Sequence, residues 1–265
     1  KELVSERYSQ IATDDHDCCG SACGCSNDIN PLNKEYQNLE GYAPESDLGL
    51  GCGIPTNSAQ IEPGDVVVDL GSGAGNDCFV ARSFTGAYGK VIGVDFTDAM
   101  IEKARKNVTT LGYKNIHFVK GDIENLPLDD NLADVVISNC VFNLVPDKKA
   151  AFKEMHRILK PTGRFSISDI VVDGELPDSI KKSVESYTGC ISGASPIDQY
   201  IEMLETVGFS NIKIEKQIKI DLPSEYINQQ SSEAEHGKEN VEVKIYSITV
   251  SGEKSENCCD SDCCN

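Results

Sequence analysis

Val66-Val67-Val68-Asp69-Leu70-Gly71-Ser72-Gly73-Ala74-Gly75 is the stretch whose reading decides the fold. A run of β-branched residues closes on an acid and opens into a Gly-x-Gly-x-Gly loop. That is how a strand hands over to a tight turn and a helix in a doubly wound α/β sheet. Gly71 and Gly73 let the backbone turn sharply and approach a ligand where a Cβ would stand in the way, and Gly75 permits close helix–strand packing. The loop alone does not distinguish a dinucleotide from a nucleoside, or either from no ligand.

Outward from the loop the pattern alternates. It predicts a strand over 66–69, a helix over 76–84, a strand over 91–95 and a helix over 98–111 with Thr97 as N-cap. Strands over 116–120 and 134–138 follow, then a helix over 148–159 stopped by Pro161-Thr162-Gly163, and a strand over 164–171. Strands separated by helices pair in parallel with right-handed crossovers, so 61–172 reads as one doubly wound domain. Residues 1–60 hold an amphipathic helix over Leu3 to Ala12 and a Cys-rich loop region. Residues 173–252 read as a small C-terminal α+β region. Its helices are 176–187 and 196–208, the second ended by Gly208, and its strands 212–218 and 241–250 alternate as half-exposed antiparallel partners around a polar loop at 228–240. The tail, 253–265, lacks the apolar content to fold and is expected to be disordered.

The chain has 265 residues, with 43 acids against 24 bases and a net charge of −19. A balance this acidic, without a basic run, argues against nucleic acid or an anionic membrane as partner and leaves a neutral or cationic substrate. No stretch approaches the apolar length of a spanning helix, and Lys1 to Ile11 is too charged for a signal peptide, so a cytoplasmic monomer is expected. In that compartment the 12 cysteines are expected to be mostly reduced, which favours metal or redox chemistry over a disulfide framework.

Asp95, at the end of the second strand, can accept hydrogen bonds from both hydroxyls of a ribose, which is equally compatible with NAD. Lys120-Gly121-Asp122-Ile123 adds a second acid at the end of the third strand, placed to take an adenine amino group. Asp-x-Gly-x-Gly-x-Gly, an acid, then Gly-Asp-(apolar) resembles the class I S-adenosylmethionine-dependent methyltransferases, with their Rossmann-like sheet, more than dehydrogenases, whose first strand lacks Asp69. The resemblance implies S-adenosyl-L-methionine as cofactor. Asp69, Gly71, Ser72, Gly73 and Gly75 would flank its amino-acid end, Asp95 its ribose and Met100 the adenine, with Asp122 and Ile123 framing the base and Asn139 completing the set. A cationic sulfonium suits acids so placed.

Three cysteines stand singly in loops. Cys52 lies in Leu48-Gly49-Leu50-Gly51-Cys52-Gly53, Cys140 follows the fourth strand in Ser138-Asn139-Cys140, and Cys190 lies in Gly189-Cys190-Ile191-Ser192-Gly193-Ala194. None has CxxC spacing, so they do not read as a zinc knuckle but as a three-coordinate thiolate site assembled by folding. With the glycine loop, these segments look like the arsenite S-adenosylmethionine methyltransferases, over about residues 3–220. That resemblance implies that Cys52, Cys140 and Cys190 bind trivalent arsenic, presented as arsenite or its thiol conjugates, and that the arsenic lone pair attacks the cofactor methyl. Thioredoxin or glutathione would then restore the thiols, with Cys23 or Cys25 as the N-terminal redox partner.

The chain departs from that family in Cys18-Cys19 and in the tail Cys258-Cys259-Asp260-Ser261-Asp262-Cys263-Cys264. These vicinal thiols, with Cys23 and Cys25, are candidate ligands for a soft ion. Cys78 reads as a small buried hydrophobe, His16, His117, His156 and His236 as having no ligand role, and Lys148-Lys149 as a solvated face. Two other readings stay open: methylation of a small organic acceptor such as a quinone, and a thiol-rich arsenic or metal buffer.

Overall fold

Three valines in a row need a sheet covered on both faces, and that is what surrounds them. The computed structural model describes residues 2–13, 33–174, 189–221 and 244–255. The elements are α1 (Glu2–Thr13), α2 (Asn33–Tyr36), β1 (Val66–Leu70), α3 (Asn76–Thr85), β2 (Lys90–Asp95), α4 (Asp98–Leu111), β3 (Ile116–Lys120), β4 (Ala133–Asn139), α5 (Lys148–Ile158) and β5 (Leu159–Asp173). After them come α6 (Gly189–Ser192), β6 (Ser195–Pro196), α7 (Ile197–Val207), β7 (Phe209–Ile220) and β8 (Lys244–Lys254). The sheet order is β3-β2-β1-β4-β5-β8-β7, with β6 on the end of β5. Pairing is parallel from β3 to β5, and antiparallel between β5 and β8 and between β8 and β7.

Successive residues of β1 serve opposite faces. Val68 and Leu70 join a core with Phe142, Phe152, Met155, Tyr200 and Leu204 under α5 and α7. Val67 joins another with Cys78, Phe79, Ile101 and Ala104 under α3 and α4. Helix α4 begins where predicted, but the Thr97 hydroxyl makes no capping bond; the Thr97 N–H instead donates to Asp95 Oδ1 at 2.8 Å. Helix α5 is capped by Asp147, which accepts from Ala150 N at 2.9 Å.

The predicted α+β region is not a separate sheet. β8 pairs with β5 from Arg164↔Glu253 to Asp173↔Lys244, so a boundary at 172/173 falls inside one continuous sheet. β5 also starts earlier than predicted, at Leu159, directly after α5, because Leu159 already pairs with Ala133. The predicted helix at 176–187, the loop at 228–240 and the tail lie outside the described residues, as do Cys18, Cys19, Cys23, Cys25, Cys258, Cys259, Cys263 and Cys264. Among the described residues no helix is long and apolar enough to cross a membrane.

The chain winds outward in both directions from β1 and β4, which makes the crevice above their carboxyl ends the topological switch point, where ligands of such sheets bind. The Gly71 loop and Cys140 are the two segments that leave those strand ends. Phe152 stacks on Phe142, with ring centroids 4.4 Å apart, and meets the Tyr200 ring edge-on at 5.4 Å. Phe152→Ala should therefore cost about 3–5 kcal/mol of stability in urea unfolding.

Candidate active site

One cavity opens above the switch point. It is lined by Asp69, Gly71, Ser72, Gly73, Asp95, Met100, Asp122, Ile123, Asn139 and Cys140, and so gathers nearly every cofactor residue expected from the sequence. Gly75 is not in the lining. It sits at the start of α3 with φ +100°, where a Cβ would strike Phe118 and Phe79, so its work is helix–sheet packing. Gly71, at φ +73°, faces the Val141 side chain at a distance no Cβ could share.

The cavity is acidic. Asp95 is buried; its Oδ2 accepts from the Gly73 N–H at 3.0 Å, which locks the glycine loop to the end of β2. Burial raises its carboxyl above the usual range despite that bond and the one from Thr97. Burial, then the charge of Asp77, pushes Asp69 well up. The sequence reading gave Asp77 no role, although it directly follows the glycine loop. It lines the cavity, and burial pushes it to about 6 against bonds from Tyr36 and Asn139 that favour the anion. Cys78 is buried as expected but is not only a hydrophobe, since its thiol donates to Asp69 Oδ2 at 3.2 Å.

Asn139 joins the cavity to the cysteines. Its Oδ1 accepts from the Cys52 N–H at 2.8 Å and the Gly53 N–H at 3.3 Å. Its Nδ2 lies 2.8 Å from the Gly53 carbonyl, 2.9 Å from the Tyr36 hydroxyl and 3.1 Å from Asp77 Oδ2. The Tyr36 hydroxyl stands 2.6 Å from Asp77 Oδ1. A Cβ at Gly51 would press on Asn139, and one at Gly53 on Ser168, so the glycines around Cys52 are what let its loop lie flat on the sheet end.

The three predicted thiols meet. Cys52, Cys140 and Cys190 pack with Ile170, Val172, Ile191 and Ile245 in one apolar cluster. Cys140 lines the cavity as well, and its φ of +61°, rare for a side-chain residue, turns the chain off β4. Contrary to the expectation of reduced thiols, Cys52 and Cys140 form a disulfide, with Cα atoms 5.5 Å apart, inside the range that a disulfide spans. The Cys190 thiol is free of disulfide bonding and donates to the Cys140 carbonyl at 3.6 Å. Among the described residues no group of three or more His, Cys, Asp or Glu side chains is arranged to hold a metal ion. Tyr8 of α1, which the sequence reading missed, lines the cavity, and burial and the neighbouring Cys190 raise its hydroxyl.

Residues 61–217 match a family described as a methyltransferase domain. A solved structure of an arsenic(III) S-adenosylmethionine methyltransferase from Chlamydomonas reinhardtii superposes with a TM-score of 0.68 at 31% identity, covering 90% of this chain and 76% of that one. The chain belongs to the arsenite methyltransferase family. An arsenite methyltransferase of Halobacterium salinarum is 40% identical over 258 residues, and one of Aquipseudomonas alcaligenes 31% over 220 residues. These alignments take in 92% and 80% of this chain but only 65% and 63% of those relatives, so the chain spans less than two thirds of their length.

The site fits the family's cofactor on its own geometry. Gly73 has open space where a Cβ would stand, Ser72 Oγ is buried without a partner among the described residues, and the acids supply a field that favours a cation. Asp77 also gives a test by pH. A carboxyl raised by folding from 3.8 to about 6 adds stability that is complete below the lower value and is lost as the pH rises through the upper one. Urea unfolding should show that decline, and Asp77→Asn should make it shallower, the remainder coming from Asp69, Asp95 and Asp169, which burial also raises, while removing one hydrogen bond worth about 1 kcal/mol, because the amide nitrogen cannot accept.

Proposed function

We propose that this chain transfers methyl groups from S-adenosylmethionine to trivalent arsenic held by Cys52, Cys140 and Cys190. The observation that carries the reading is the convergence of three singly spaced cysteines on one cluster whose member Cys140 also lines the acidic cavity. S-adenosylmethionine, when bound, supplies a methyl on a cationic sulfonium. Asp95 would accept from the ribose hydroxyls, Met100 and Ile123 would lie against the base, Asp122 would accept from its amino group, and Asp69 and Asp77 would balance the cationic end.

The thiol side must first be reduced, because Cys52 and Cys140 are joined. A dithiol of the thioredoxin type, or glutathione, supplies the two electrons and two protons that open the bond. Three thiols then displace the three hydroxyls of arsenous acid as water, their protons leaving with the hydroxyls. The arsenic would keep its lone pair, which is the electron pair that the sulfonium's methyl would accept, with the neutral thioether as leaving group. Arsenic is thereby formally oxidised by two electrons, and the same thiol reductant returns it to the trivalent state. Ile170, Val172, Ile191 and Ile245 keep water from the cluster, so this chain's part is positioning and exclusion, not proton transfer.

The deciding experiment is mass spectrometry of products from arsenite, S-adenosylmethionine and a thiol reductant. Methylarsenicals are expected. Cys140→Ser should abolish their formation while leaving cofactor affinity by calorimetry near that of the parent chain; methylarsenicals made at parental rates by Ser variants of all three cysteines would overturn the assignment. Asp95→Ala should weaken cofactor binding by about 10- to 100-fold, the worth of hydrogen bonds to a charged acceptor.

A further inference from the structure

Behind the thiols lies a buried polar network that neither the cofactor cavity nor the sulfur chemistry uses. Asp169 on β5 is fully buried. Its Oδ1 accepts from Asn143 Nδ2 at 2.8 Å and from the Ile170 N–H at 2.9 Å, and its Oδ2 from the Tyr200 hydroxyl at 3.3 Å. Asn143 Nδ2 also donates to the Ile170 carbonyl at 2.7 Å. Asn143 is the third residue after Cys140, in the 3-10 turn Phe142–Leu144.

Lys148, at the start of α5, is half-buried, not the solvated side chain that the sequence suggested. Its Nζ donates to the Gly193 carbonyl at 2.7 Å, and its charge and that of Asp169 act on each other. Gly193 is the third residue after Cys190. It lies so close to Asn143 that a Cβ there would strike the Asn143 carbonyl. The acid thus holds the turn that carries Cys140, the base holds the turn that carries Cys190, and the two turns touch through their backbones. Hydrogen bonds of this kind add only modest net stability. What this pair supplies is direction, since each partner ends on a fixed group of a thiol-bearing turn.

We propose that Asp169 and Lys148 are positioning residues that set the spacing between Cys140 and Cys190 so that both sulfurs reach one thiophilic atom. The inference rests on the arsenic reading for its ligand but not for its geometry, and the test separates the two. In the reduced full-length chain with Ser at the eight terminal cysteines, so that they bind no arsenite, dibromobimane, which bridges thiols held close together, is mapped by peptide mass spectrometry for the Cys140–Cys190 product, and arsenite affinity is measured alongside.

Lys148→Met should cut the bridged yield several-fold and weaken arsenite binding about tenfold, the worth of one charge-assisted hydrogen bond. S-adenosylmethionine affinity should not change, and Lys148→Arg, which keeps a donor, should restore most of both losses. Asp169→Asn should act in the same direction; if it fails to fold, Lys148→Met decides. A folded Lys148→Met chain with unchanged bridging and unchanged arsenite affinity overturns the proposal, as does a parent chain that gives no bridged product. A parent chain that bridges the pair but binds no arsenite overturns the arsenic reading and leaves the spacing role standing.

Discussion

The Asn139 carboxamide is the interaction on which the site depends. It joins the last residue of β4 to the backbone of Cys52, 87 residues away in sequence, and it uses both ends of its amide to do so. An aspartate there would offer no donor to the Gly53 carbonyl and would set a further charge beside Asp77. A glutamine would carry the amide one carbon too far from the strand end. Given Asn139, much else is constrained. The residues flanking Cys52 must be glycines, because a Cβ would strike the amide or Ser168, and Cys140 must leave the strand in a left-handed conformation. That conformation costs of order 1–2 kcal/mol and is held by the Cys140 N–H bond to the Ser168 carbonyl at 2.8 Å.

A second constraint is electrostatic. Asp69, Asp77 and Asp95 are all buried, all are raised by that burial, and Asp77 and Asp95 both add to the raising of Asp69. Carboxylates so placed reduce stability, and a fold chosen for stability alone would not collect them at one strand-end crevice. A bound cation reverses the sign of the cost, since each anion then gains an opposite charge in a medium that screens weakly. The acids therefore favour binding for the same reason that they oppose folding. The thiol cluster is the complement: the side chains packed with it are chiefly isoleucine and valine, a lining of the opposite character to the acids.

The contrast between what could and could not be read from the sequence follows from range. Helix α4 was legible to the residue because its apolar period is local, even though the Thr97 hydroxyl does not cap it. β1 and the glycine loop were legible for the same reason, and so was the meeting of Cys140 with the cavity, because ligands bind at strand ends. The roles of Tyr36 and Asp77 were not. Tyr36 sits in a segment with loop composition, and its partners lie 41 and 103 residues away. That β8 would enter the sheet beside β5 was equally hidden, since an alternating strand declares which face is buried but not which neighbour it takes. Lys148 was misread because a lysine pair at a helix start is usually solvated, and only the arrival of Gly193 makes it otherwise.

The two walls of the cavity differ in how firmly they are built. On the thiol side, Asn139, Tyr36, Asp77 and the Cys52–Cys140 bond tie three distant segments into one body. On the other side Val4 and Tyr8 of α1 complete the lining, and α1 is held by burial of Ile11, by a bond from Lys103 Nζ to the Ala12 carbonyl at 3.3 Å and by the approach of Tyr8 to Cys190. Because Tyr8 meets Cys190, displacing α1 also changes the surroundings of that thiol, and the cavity and the sulfurs are coupled through this one side chain.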